Sequence, residues 1–162
     1  MEIKLEQVKL EGKDVLQRLL QYSLFEESGT DLNEMNSDGT FAYEWFDHYF
    51  TDKDRDAYFI KEMDNDKLLG FVMVNEHLEI LKDGHSIAEF MVIPKYRRRG
   101  IGKKAAIHIF EKYKGNWEIK PSYGSEKAYL FWENVIREYT GDRFQYKNSI
   151  FVFQTVEKAS SL

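Results

Sequence analysis

Hydrophobic positions alternate at the start of the chain. Ile3, Leu5, Val8 and Leu10 predict a first strand, and Val15, Leu16, Leu19, Leu20, Tyr22 and Leu24 then recur at helical spacing. Ser28-Gly29-Thr30-Asp31 breaks that helix. Asn36-Ser37-Asp38-Gly39 has turn chemistry, and the aromatic run from Phe41 to Phe50 predicts a short helix or turn. A hairpin follows: residues 57–63, a turn at Asp64-Asn65-Asp66, and residues 68–74. Asp83-Gly84 leads into Ile87-Ala88-Glu89-Phe90-Met91-Val92-Ile93, which reads as a buried strand. Ala105, Ala106, Ile107, Ile109, Phe110 and Tyr113 return to helical spacing. Residues 116–120 predict a short strand and Ser125 to Tyr139 a helix. Phe144 to Val156 predicts a terminal strand pair turning at Lys147-Asn148-Ser149. This order of elements implies a mixed α/β sheet flanked by helices, and residues 1–162 read as a single domain.

Between the buried strand and the next helix lies Tyr96-Arg97-Arg98-Arg99-Gly100-Ile101-Gly102-Lys103-Lys104. Glycines here let backbone N–H groups at a helix start approach phosphate oxygens, and Arg97, Arg99 and Lys103 add charge-assisted hydrogen bonds. Arg98 is expected to face solvent. A diphosphate cradle is the predicted use, and a basic turn that merely caps a helix is the plain alternative. A bare Gly-x-Gly arises by chance about once in a chain this long, so the arginine and the strand-loop-helix context carry the signal. The segment lacks the Lys-Ser/Thr of a Walker loop. It also lacks the third glycine and later acidic residue of a Rossmann site.

Composition narrows the classes. With 162 residues, 43% hydrophobic and 15% aromatic, the chain is globular, and no apolar run approaches the length of a membrane span. Met1-Glu2-Ile3-Lys4 opens a strand rather than a secretory leader. Zero cysteines exclude a disulfide framework, a thiolate metal site and a cysteine nucleophile, and the expected compartment is the cytoplasm. A net charge of −5 argues against nucleic-acid binding, whereas a local basic patch suits a small anionic ligand. No His, Asp or Glu cluster has metal-ligand spacing, so no metal is expected. Asp52, Asp54 and Asp56 would favour a cationic substrate, or are simply a solvated surface.

Arg97-Arg98-Arg99-Gly100-Ile101-Gly102 resembles the GNAT acetyltransferase superfamily. There the pattern Arg/Gln-x-x-Gly-x-Gly/Ala follows the fourth strand and binds the pyrophosphate of acetyl-CoA. The element order also resembles the GNAT fold, a mixed, mostly antiparallel central sheet with helices on both faces. The resemblance implies that Arg97, Arg98, Arg99, Gly100, Ile101, Gly102 and Lys103 hold the pyrophosphate. It implies too that the backbone of Met91, Val92 and Ile93 pairs with the pantetheine arm and polarises the thioester. Many members carry Asn-x-x-Ala and, four residues later, a Tyr that protonates the departing sulfur. Here Ser125 and Trp132 stand in those places, and an indole N–H is no proton donor near neutral pH. Tyr129 or Tyr123 could substitute, or simply pack.

Amine acylation requires a base. Glu89 is the candidate, since its neighbours Ala88, Phe90 and Met91 are apolar and would raise a carboxylate's pKa; an exposed edge carboxylate is the alternative. His85 and His48 are weaker choices. The resemblance implies acetyl-CoA-dependent N-acetylation of an amine, most simply of a small molecule, by direct attack in a ternary complex. A non-catalytic module of the same fold, sensing acetyl-CoA or binding a protein, is the competing reading. Tyr43, Trp45, Tyr49 and Asp52 are a candidate ammonium pocket. The acceptor's identity and homodimerisation stay open.

Overall fold

In the computed structural model, which describes residues 1–157, the chain runs β1 (Ile3–Gln7), α1 (Lys13–Glu27), a 3-10 helix (Phe46–Phe50), β2 (Arg55–Glu62) and β3 (Leu68–Asn75). It continues through β4 (His85–Val92), a 3-10 turn (Pro94–Tyr96), α2 (Ile101–Lys112), β5 (Asn116–Ile119), α3 (Glu126–Thr140), β6 (Phe144–Lys147) and β7 (Ile150–Gln154). The seven strands make one sheet in the order β1-β2-β3-β4-β5-β7-β6. Only the β4–β5 pair is parallel.

The elements fall close to where periodicity puts them, with corrections at the ends. The first strand stops at Gln7, and Leu10 lies exposed in a 3-10 turn, Leu10–Gly12, because the chain must bend to start α1. The last strand ends at Gln154, short of Val156. Asn148 and Ser149 both adopt positive φ, the geometry of a two-residue turn that matches strand twist.

Alternation along β2 and β3 divides the core. Ala57, Phe59, Phe71 and Met73 join Met91 of β4 under Leu16, Leu19, Leu20 and Leu24 of α1 and under Phe41, Phe46 and Tyr49. On the opposite face Tyr58, Val72, Val74 and Ile87 pack with Ala106, Ile109 and Phe110 of α2, with Trp132, Val135 and Ile136 of α3, and with Trp117, Phe151 and Phe153. Both faces are covered, so β2 and β3 read as nearly continuous apolar runs.

Two irregularities in β4 shape the site. Met73 pairs with Glu89 but Val74 pairs with Ile87, so Ala88 is an extra, bulged residue. The parallel pairing with β5 covers only His85↔Trp117 and Ser86↔Glu118. Beyond Ser86 the two strands part, and the edge of β4 away from β3 has no strand partner among the described residues.

Candidate active site

The basic loop enters α2 through Gly100, whose φ of +77° lies in the left-handed region. A Cβ added there would meet nothing within 4 Å, so the space it leaves is open on the outer side of the helix start. The first intrahelical bond runs from Lys104 N–H to Gly100 O at 3.1 Å. The N–H groups of Ile101, Gly102 and Lys103 are therefore first-turn donors, and a left-handed residue followed by a helical one makes them converge as an anion nest. Gly102 has a different reason to lack a side chain: its Cβ would lie 3.1 Å from the Phe131 ring of α3. Ile101 is buried with Ile3, Ile60, Leu69, Val92 and Ala105, and anchors the helix start in the core.

The cations of this segment are engaged within the chain. Arg97 donates from Nε to Val92 O at 2.7 Å, and its two terminal nitrogens grip Glu26 at 2.9 and 2.8 Å. Lys103 pairs with Glu138 of α3. Arg99 lies over the Tyr96 ring, 6.0 Å from its centroid. Arg98 is exposed, at a positive φ of 63°. Among the backbone groups expected to meet a pantetheine arm, Ile93 N–H is committed to Leu69 O at 2.8 Å, leaving Ile93 only its carbonyl for that purpose. Met91 and Val92 are buried residues of β4 where it has left β5.

Glu89 points to the α1 face, beside the bulge. There it meets Glu27, the last residue of α1, which also accepts a hydrogen bond from the Ser122 hydroxyl at 3.3 Å. Burial first, and then the neighbouring Glu27 charge and hydrogen bond, push the Glu89 carboxyl well above the usual carboxylate range. Glu27 is also raised, by burial, although hydrogen bonds from Glu89 and Ser122 work the other way. The pair is the arrangement in which Glu89 keeps a proton and gives it to Glu27 in a hydrogen bond. His85 lies on the opposite face, its ring 4.7 Å from Tyr113 and 5.6 Å from Trp117, with burial holding its pKa down.

On α3 the four remaining candidates separate. Ser125 is the N-cap, its hydroxyl accepting from Ala128 N–H at 3.1 Å. Trp132 is 6% exposed and sits edge-on to Phe90, centroids 5.1 Å apart, facing the parted strands. Tyr129 faces the other way, stacked on Phe151 and against Tyr146, and a hydrogen bond to Glu133 raises its phenol pKa. It is not brought together with Glu89. Tyr123 is 67% exposed.

A cavity of about 390 Å³ opens on the α1 side, lined by Tyr43, Trp45, His48, Tyr49, Asp52, Arg55, Asn75 and His77. All four residues of the expected ammonium pocket are present, but their chemistry is already taken up. Asp52 accepts from Thr51 at 2.9 Å, His48 at 3.0 Å and Arg55 at 2.9 Å, and the Arg55 guanidinium covers the Trp45 ring at 5.2 Å. Tyr43 bonds Tyr49, which accepts from Asn75 at 3.2 Å; the Glu89 and Glu27 charges, added to burial, suppress ionisation of Tyr43. Tyr43 thus connects this cavity to the carboxyl pair.

Residues 20–133 match the model of the acetyltransferase (GNAT) family. The chain belongs to that family. No curated protein matches in sequence. Among solved structures, an acetyltransferase from Thermus thermophilus aligns over 95% of this chain and 97% of its own at 14% identity, with a TM-score of 0.64. NAA60 of Arabidopsis thaliana, in complex with a bisubstrate analogue, aligns over 94% and 98% at 16% identity and a TM-score of 0.56. A predicted acetyltransferase from Clostridium acetobutylicum, with acetyl-CoA, aligns over 81% and 88% at 10% identity and a TM-score of 0.57. These likenesses are of fold.

The residues present fit the family's acyl donor. The Gly100 nest leaves room that a Cβ would fill, and the parted edge of β4 offers unpaired main-chain groups for an amide-bearing arm. No helix among the described residues is long and apolar enough to cross a membrane. Two features of this GNAT chain escape sequence reading. Glu27 looks like one more polar residue at a helix end. Glu118 of β5 is 3% exposed and accepts from the N–H groups of Glu79, Ile80 and Leu81 at 2.6–3.2 Å, fastening the loop before β4. An acidic residue between Trp117 and Ile119 in a buried strand was the available signal.

Proposed function

We propose that residues 1–162 form one acetyl-CoA-dependent N-acetyltransferase domain acting on an amine, by direct attack in a ternary complex. The observation that carries the reading is the parting of β4 from β5 at Ile87, with the Glu89 carboxyl at the bulge just beyond it. The Gly100, Ile101 and Gly102 amides, with Arg97, Arg99 and Lys103, hold the diphosphate; Met91 and Val92 align the pantetheine arm; Phe90, Phe131 and Trp132 enclose the acyl end. Acetyl-CoA supplies an activated acetyl group as a thioester. Glu89, on the side facing the aromatic cavity, takes a proton from the incoming amine, and the cavity's size suits a small-molecule acceptor.

Calorimetric titration with acetyl-CoA, coenzyme A and an adenine-only fragment tests the donor site. Binding that requires the diphosphate is expected. Amine-dependent release of thiol, slowed by Glu89→Gln while donor affinity is kept, tests catalysis. Binding without release under any amine would point to the non-catalytic module, a reading that the buried indole of Trp132 in the place of a phenol keeps in view. No donor binding would sink both.

A further inference from the structure

We propose that Glu27 and Glu89 act as one unit, a carboxyl pair that shares a proton and receives the acceptor's amine as an ammonium ion. This rests on the transferase reading above and adds to it a second acidic residue and a protonation state for the acceptor.

The geometry gives three reasons. Glu27 closes α1, where the helix dipole is negative and a second anion is unwelcome. Glu89 comes from the bulge of β4 and meets Glu27 in a hydrogen bond, and two carboxyls in contact cannot both ionise readily. The groups around the pair supply no cation to relieve it. Asp31 lies beside it; Tyr43 faces Glu89 as a neutral phenol, with Tyr49 behind it; Ser122 donates to Glu27. The nearest cation along α1, Arg97, is turned to Glu26, the neighbour of Glu27. A pair carrying one proton and one negative charge is therefore the settled state of the site, and the charge it lacks is that of one ammonium ion.

The adjoining cavity cannot supply that function. Asp52 already holds Thr51, His48 and Arg55, and the Trp45 face is covered. An acceptor lying in the cavity past Tyr43 would bring its ammonium to the carboxyl pair. One N–H bond of the ammonium then breaks and one O–H bond forms on the pair. The amine nitrogen regains its lone pair, and the pair changes from singly negative to neutral. Opposite charges in a recessed site are exchanged for two neutral partners, which low-polarity surroundings favour. The acceptor class is a primary alkylamine, protonated in solution, rather than an aromatic amine or an alcohol.

Carboxyl-carbon NMR titration of the unliganded protein tests the pair without any acetyl transfer. In the wild type one proton should remain on the pair well above the usual carboxylate range. In Glu27→Gln, an isosteric change, the Glu89 midpoint should fall by about one pH unit or more. In Glu89→Gln, Glu27 should fall too. Propylamine should shift both carboxyl carbons in the wild type and bind several-fold more weakly to Glu27→Gln, while propanol shifts neither. A Glu89 midpoint unmoved by Glu27→Gln overturns the inference, even where amines are acetylated. A lowered midpoint with no amine acetylated leaves the pair standing and sinks the transferase reading instead.

Discussion

At the scale of single residues, Gly100 and Gly102 show how one motif holds two different constraints. Gly100 is required by its backbone, since φ +77° strains any other L residue, and by the open space above it. Gly102 is required by the Phe131 ring. Gly100→Val is expected to cost about 1–2 kcal/mol in stability, from the left-handed conformation. It should also abolish acetyl-CoA binding, because the new side chain enters the space assigned to the diphosphate. Urea unfolding and calorimetry read the two effects separately. The need for glycine at both positions was legible from the motif, but the reason at 102 was not, because Phe131 lies on another helix.

At the scale of elements, the last turn of α1 touches both halves of the site, Glu26 through Arg97 and Glu27 through Glu89. A diphosphate would compete with Glu26 for the Arg97 guanidinium. The ion pair is partly exposed and worth up to about 1 kcal/mol, so Glu26→Gln should tighten acetyl-CoA binding by up to roughly fivefold. Unchanged or weaker binding in the calorimeter would mean that Glu26 orients Arg97 for the donor instead of restraining it. The loop before β4 depends on Glu118 in a comparable way. Glu118→Gln keeps the size but loses the charge shared by three backbone N–H groups, and should destabilise the protein by about 1.5–3 kcal/mol. Faster amide exchange at Glu79, Ile80 and Leu81 would locate the loss.

Over the whole molecule, the raised carboxyls set a pH dependence of known sign. A group whose pKa is higher folded than unfolded contributes most below its unfolded value, near 4.5 for Glu27 and Glu89, and that contribution is lost as pH rises through the folded value. Glu89→Gln should therefore unfold at higher urea than the wild type at about pH 8, with the difference closing at about pH 4. Carboxyls held low by partners, such as Glu26 beside Arg97, act oppositely and are common to both proteins, so the comparison isolates the pair. An equal gap at both pH values would refute the raised Glu89. The sequence by itself determined the elements, their order, the fold family and the diphosphate loop, because hydrophobic period, turn chemistry and the demand for glycine act between residues near one another in the chain. Only the tertiary structure decided that Glu27 reaches Glu89, that Arg97 is held by Glu26, that Tyr129 turns from the site and that Asp52 has no capacity left. Those outcomes depend on which faces meet across the sheet, on where β4 leaves β5, and on how many partners a side chain has already found.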